Sequence, residues 1–309
     1  MAGDRILDPE LAHRLVLHEA RAQQTPVREL RDLGDGWLFH DPNDAEPFWN
    51  RVIAPRWPSD PAAFDRRLDE VITLFATLGR LPHVRPLPVG GAPDDLARRL
   101  TAAGFETLGV DRRMALVEAD EVAGRLAAAE ARVAAAWPGA TVEVSRQGVP
   151  TGESSRPRVV GDGRGPRFVA PRRAWPERRR WATEASLVLA DAFGVGEGRR
   201  LALENDVLAC VSRPGCAMLL IDVDGEPAAV ARRAWTAEGS YLSSIGTRHA
   251  FRGRGLGAFV TLHAVRDALE HGAGLVHLAV EVDNEPARRL YEHLGFAMVG
   301  DPAPDLLLH

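Results

Sequence analysis

The feature that most limits what this chain can fold into is a run of alternating glycines set between a strand and a helix. Tyr241–Gly246 reads as a strand, and a short loop follows. Arg252-Gly253-Arg254-Gly255-Leu256-Gly257 then opens a helix that runs to His271 and stops at Gly272. The start of a helix leaves backbone N–H groups unpaired and carries roughly half a positive charge. Glycine removes the Cβ that would keep a bulky anion away from those groups. The segment therefore suits a diphosphate, with Arg252 and Arg254 adding charge-assisted hydrogen bonds.

Gly253, Gly255 and Ala258 also satisfy the dinucleotide spacing G-x-G-x-x-G/A, and Glu281 and Asp283 stand where a ribose-binding acid belongs. Three features argue against that fold. Thr247 to Arg252 separate the strand end from the first glycine, whereas a dinucleotide turn follows its strand directly. The residues after the motif are too few to complete a doubly wound sheet. No comparable β-α-β fingerprint opens the chain.

Composition narrows the alternatives. The 309 residues suit two domains, and 45% apolar with 26% charged residues is ordinary for a globular protein. No stretch approaches the length of a membrane helix, so no membrane partner is expected. The N-terminus is charged at once, which reads against a secretory leader and for a cytoplasmic location. A net charge of −5 gives no global basic surface for nucleic acid. The chain has no lysine, which removes Schiff-base and Walker-type chemistry. Cys210 and Cys216 cannot make a disulfide framework, and no Cys/His cluster has metal-ligand spacing, so no metal is expected.

Mixed α/β order runs through both halves. In the first, helices are predicted over 9–24, 61–78 and 94–103, and strands over 27–33, 37–40, 48–57, 83–89 and 114–118. An alanine-rich helix spans 121–136, and Thr141–Val144 is a short strand. Residues 145–175 read as loop. Nine arginines between 156 and 180 read chiefly as a solvated segment, with a phosphate or an acidic partner as the functional alternative. The second half has helices over 181–193, 254–271 and 285–294, and strands over 218–223, 228–234, 241–246 and 275–282, with another opening at Phe296.

The halves align at a constant offset of 191 residues. Gly34 falls on Gly225, Val71 on Leu262, Leu74 on Val265, Leu78 on Leu269, and Gly104-Phe105 on Gly295-Phe296. This register reads as an ancient tandem duplication. The first copy lacks the loop: Pro61 to Arg66 occupies its place, Pro93 stands for Asn284 and Leu100 for Tyr291. Its role is left between buttressing the second copy, shaping an acceptor pocket and forming a homodimer.

Taken together, Ile245-Gly246-Thr247, Arg252 to Gly257, Leu278-Ala279-Val280, Asn284, Leu290-Tyr291-Glu292 and Leu294-Gly295-Phe296 resemble the GNAT (Gcn5-related) N-acetyltransferase family. The order is strand, pyrophosphate loop, helix, strand, asparagine, and a helix ending L-Y-x-x-x-G-F. The resemblance implies an α/β fold, more closely α+β, of two tandem lobes. Each lobe is a mostly antiparallel twisted sheet with a splayed central strand pair flanked by helices. The boundaries are 1–120 for a degenerate lobe, 121–140 for a connecting helix and 141–309 for the catalytic domain.

The resemblance also implies acetyl-CoA as cosubstrate and a small-molecule amine as acceptor, joined by direct attack in a ternary complex. Ile245, Gly246 and Thr247 would bind the pantetheine arm, and Arg252, Gly253, Arg254, Gly255, Leu256 and Gly257 the pyrophosphate. Asn284 would bond to the pantetheine region, and Tyr291 would protonate the leaving thiolate. Where many family members carry a glutamate base on the fourth strand, this chain has Ser243 and Ser244. A water held by Ser244 could serve, as could Glu238, His277 or Glu281. Two alternatives stay open: a non-catalytic acyl-CoA sensor or assembly module, and an acetyltransferase similar to mycothiol synthase.

Overall fold

A computed structural model describes residues 9–88, 90–148, 167–169 and 175–309. The arginines at 156, 158, 164, 172 and 173 lie outside the described residues. The helices are α1 (Pro9–Gln23), α2 (Pro61–Leu78), α3 (Leu96–Ala102), α4 (Val122–Ala136), α5 (Trp175–Phe193), α6 (Arg200–Val211), α7 (Leu256–Glu270) and α8 (Glu285–His293). The strands are β1 (Glu29–Asp32), β2 (Trp37–His40), β3 (Arg51–Ile53), β4 (His83–Arg85), β5 (Glu106–Leu116), β6 (Val142–Gly148), β7 (Arg167–Val169), β8 (Cys216–Val223), β9 (Glu226–Thr236), β10 (Gly239–Thr247), β11 (Val276–Glu281) and β12 (Phe296–Leu307). The fold is mixed α/β, its sheets mostly antiparallel and flanked by helices.

Two compact units divide the chain. The first comprises 1–114, 279–288 and 298–309, and the second 115–278 and 289–297. In the first, β2 pairs antiparallel with both β1 and β3, β3 pairs parallel with β4, and β4 pairs antiparallel with β12. Phe64, Leu68, Val71 and Phe75 recur at helical spacing along α2 and bury one face among Leu38, Val52 and Val84 of the strands. Asp60 caps this helix, accepting from Ala63 N at 2.9 Å, and Pro61 follows at the first turn.

The same unit buries charge. Arg51 bonds Asp305 and Glu19, at 3.0 and 3.1 Å, and Arg113 bonds Glu19 at 2.8 Å. Arg85 pairs with Asp111, and His83 Nε2 meets Asp305 at 3.0 Å. Burial by itself would raise the Glu19 carboxyl, but Arg85, Arg113 and Arg51 outweigh it and hold it down to about 2. Asp305 is held well below the carboxylate range by Arg51 and Arg85 in the same contest.

In the second unit β11 and β10 are parallel, β10, β9, β8 and β6 are successively antiparallel, and β7 runs parallel to β6. Consecutive side chains of a strand point to opposite faces, which places the helices. Ser145 Oγ accepts from Trp181 Nε1 of α5 at 2.8 Å, whereas Arg146 reaches Asp267 of α7 at 2.7 Å. Helices α5 and α7 therefore cover opposite faces. Arg233 of β9 joins the same aspartate at 2.6 Å, so one buried carboxylate serves two guanidinium groups.

Helix α6 and the first half of β5 are absent from the sequence expectations. Along α6 the apolar residues do not gather on one face, and in Glu106–Asp111 of β5 the first three residues, Leu108 included, are exposed and the next three half-buried. Cys210 and Cys216, read only as too few for a framework, form one buried disulfide from the end of α6 to the start of β8.

Candidate active site

The site is built where β10 leaves its partner. The parallel ladder with β11 covers Ser240↔Val276 to Leu242↔Leu278. Beyond it the β9–β10 register shifts between Ser243 and Gly246, and Ser244 adopts φ +49°. This bulge re-aims the strand end. Arg248 N–H donates to Ala228 O on the β9 side at 2.9 Å. Strand alternation thus turns the peptide N–H of Thr247 toward the opposite edge. Gly246 has no room for a side chain: a Cβ there would lie 2.8 Å from Ala192 Cβ of α5.

The glycine loop has the backbone its sequence requires. Gly253 and Gly255 adopt φ +76° and +87°, in the left-handed region. Gly255 is the N-cap of α7 and offers no side chain to the first turn. The first intrahelical bond is Phe259 N to Gly255 O at 3.1 Å, which leaves the N–H groups of Leu256, Gly257 and Ala258 at the open start of the helix. A Cβ on Gly257 would meet Leu290 Cδ2 at 3.5 Å and Thr247 Oγ1 at 3.6 Å. Strand end, loop and helix α8 therefore converge there.

The two loop arginines have internal partners. Arg252 Nε donates to Thr247 O at 3.0 Å and Nη2 to Ala192 O at 2.9 Å. It thus ties the loop to β10 and α5. The Arg254 guanidinium lies 4.4 Å above the Trp137 ring, which in turn packs 5.7 Å from Phe251.

Tyr291 on α8 is buried, and its ring stands 6.1 Å from Phe296 in an edge-on contact. Burial pushes the phenol well above its usual range. Like any tyrosine it is protonated at neutral pH, the form a general acid needs. Asn284 Oδ1 accepts from Ala287 N at 3.2 Å, capping α8. Ile245 and Ser244 are half-buried, whereas Ser243 Oγ is buried without a hydrogen-bond partner among the described residues. Of the other candidate bases, His277 is a core residue 5.0 Å from the Tyr241 ring, while Glu238 and Glu281 are exposed. His249 is held by Asp191, which accepts from its backbone N–H at 2.6 Å. This pairing holds Asp191 below its ordinary range. Among the described residues no cluster of three or more His, Cys, Asp or Glu could hold a metal. No described helix is long and apolar enough to cross a membrane.

A strand that leaves its partner, a bulge, and an uncapped glycine-rich helix start define an acetyltransferase-type α/β fold. Residues 175–296 match the family model described as Acetyltransferase (GNAT) family. It is 31% identical over 170 residues to a mycothiol acetyltransferase of Nocardiopsis dassonvillei, a match covering 45% of this chain and 51% of the relative. It is 48% identical over 48 residues to one of Corynebacterium jeikeium, covering 16% of this chain and 14% of the relative. The chain thus spans about half or less of the curated relatives it matches. Among solved structures, a GCN5-related N-acetyltransferase from Kribbella flavida aligns with TM-score 0.59 at 20% identity over 98% of this chain and 96% of that one. A tandem GNAT protein from the clavulanic acid biosynthesis pathway aligns with TM-score 0.51 at 14% identity over 92% and 83%. At such identities these likenesses concern the fold alone.

Proposed function

We propose that the chain is an acetyl-CoA-dependent N-acetyltransferase that passes an acetyl group to a small primary amine by direct attack in a ternary complex. The domain 141–309 is catalytic, and 1–120 is a tandem lobe without a cofactor loop. Action in the cytoplasm without a metal completes this reading.

The observation that carries it is the open start of α7: three backbone N–H groups, a left-handed Gly255 cap and no side-chain acceptor of its own. The residues fit the cosubstrate, since a side chain at Gly253 would stand in open space and the bare Gly255 cap leaves the first turn of α7 without an acceptor of its own. Bound acetyl-CoA supplies an activated acyl carbon and a thiolate leaving group. The chain's part is to hold and orient. Ile245, Gly246 and Thr247 present backbone groups to the pantetheine arm, and Gly253 to Gly257 present N–H groups to the diphosphate. Thr247 N–H polarises the acyl oxygen, Tyr291 gives its proton to the departing sulfur, and Ser244 holds the water that takes the amine's proton. Asn284 caps α8 and bonds the pantetheine region.

A second reading concerns only the acceptor. The curated relatives are mycothiol acetyltransferases, so the amine those enzymes acetylate belongs in the test. The full chain is incubated with acetyl-CoA and a panel of primary amines that includes this one. Free thiol and N-acetyl product are then measured together. Equal amounts of both are expected. Coenzyme A binding with no product from any amine would replace catalysis by acyl-CoA sensing, and no binding at all would overturn the cofactor assignment.

A further inference from the structure

The loop's own arginines leave its phosphate-facing charge incomplete. Two donors of Arg252 are given to the carbonyls of Thr247 and Ala192. Arg254 is laid over the Trp137 ring. The helix start itself offers only about half a charge, while a coenzyme A carries several on its phosphates. A further cation stands beside the loop, on an element outside the segment that matches the family. Helix α4 precedes residue 175, and its last turns pack on the loop. A Cβ built on Gly255 would lie 3.4 Å from Arg132 Cδ and 3.5 Å from Arg132 Cγ and Val133 Cγ2. Val133 is buried and seats the helix, whereas Arg132 is exposed. The Arg132 stem therefore crosses the cap of α7, and its guanidinium begins one bond past the atom that touches Gly255. Among the described residues Arg132 has no ion pair, and no described carboxylate claims its charge.

We propose that Arg132 is a phosphate-binding residue of the coenzyme A site, contributed by the connecting helix α4. The inference rests on the cofactor reading above and deepens it. Trp137, which ends α4, serves the same site from below by holding Arg254 flat. Helix α4 is then a working wall of the second unit rather than a spacer between two copies.

The competing role for Arg132 is apolar cover, its methylene stem shielding Gly255 without any use for the charge. Arg132→Met keeps the stem and removes the charge, and Arg132→Lys restores a charge. Calorimetric titrations of the full chain use coenzyme A, 3′-dephospho-coenzyme A and pantetheine, with the melting temperature of each variant recorded. Arg132→Met should bind coenzyme A about tenfold more weakly, the usual worth of one charge-assisted hydrogen bond. Its melting temperature and pantetheine affinity should not change, and Arg132→Lys should recover most of the loss. A loss shared by the dephospho form places Arg132 on the diphosphate, and a loss confined to coenzyme A places it on the 3′-phosphate. Either supports the proposal. Equal coenzyme A affinity in wild type and Arg132→Met overturns it while leaving the cofactor reading intact. A folded wild type that binds no coenzyme A overturns that reading first.

Discussion

Helices α2 and α7 fall together when the sequence is laid on itself at an offset of 191 residues, and their first turns are finished differently. Each follows a strand that pairs antiparallel on one side and parallel on the other. Each of those strands ends near a non-glycine residue with positive φ, Ala54 at +51° and Ser244 at +49°. There the likeness stops. The strand end before α2 is paired again: Ala54 N–H donates to Arg85 O at 3.1 Å and Trp57 N–H to Ala92 O at 2.7 Å. The helix is then closed by its own Asp60. The ladder of β10 with β11 covers only up to Leu242↔Leu278, and α7 begins on a bare glycine. A first turn that its own carboxylate satisfies has no use for an anion, whereas one without a side-chain acceptor can take a ligand's oxygen.

The strongest way to break this contrast is to give α7 a carboxylate of its own. Gly255→Asp puts a negative charge at a left-handed position where the diphosphate belongs. Coenzyme A affinity should fall at least about a hundredfold, because a repulsive contact replaces an attractive one. Calorimetry on a variant shown to be folded decides it, and retained affinity would remove the loop from the binding site. Next in size is Tyr291→Phe, which deletes one oxygen and keeps the buried ring. Turnover should drop about 10²-fold with acetyl-CoA affinity nearly unchanged. Lower stability with normal turnover per folded molecule would make Tyr291 a packing residue.

Smaller effects sharpen the other side of the comparison. Acid should loosen the first unit through Glu19. Its folded pKa of about 2 lies below its ordinary 4.5, so its contribution is complete above 4.5 and is lost as pH falls through about 2. Hydrogen exchange across 13–114 measured between those limits should show protection falling with pH. Uniform protection down to pH 2 would mean that the buried network adds nothing. Finally, Asp60→Ala should cost about 1 kcal/mol of stability, the usual worth of a helix cap. It should leave coenzyme A affinity untouched, and a change in that affinity would show that the first unit is no bystander to binding.

Much of this architecture is legible in the residues. The apolar spacing of Phe64, Leu68, Val71, Leu74 and Leu78 predicts a helix over 61–78, which is α2, although Phe75 is buried where Leu74 and Leu78 are only partly so; Trp37–His40 is likewise the observed strand. The glycines at 253, 255 and 295 mark positive φ where it occurs. These features answer to backbone sterics and to side-chain periodicity, both of which act over a few neighbouring residues. Helix α6 escapes the same reading because its apolar residues do not line up on one face. Strand β5 escapes in part because its first half, where Leu108 and Val110 alternate with Thr107, Gly109 and Asp111, is too short an apolar alternation and stays exposed or half-buried.

What the sequence by itself determined is therefore the order of elements, the glycine loop at the head of α7 and the motif that ends in Tyr291. Tertiary structure alone decided what each charged or polar group is used for. Arg252 reads from sequence as a phosphate ligand, and the fold also gives two of its five donors to the carbonyls of Thr247 and of Ala192, sixty residues away. Arg132 carries no motif, yet it lies against Gly255. Burial raises the Tyr291 phenol above its ordinary range, which no local pattern encodes. The physical reason is range. Backbone conformation is set by adjacent residues, whereas desolvation, ion pairing and hydrogen bonding depend on whatever the fold brings within a few ångströms.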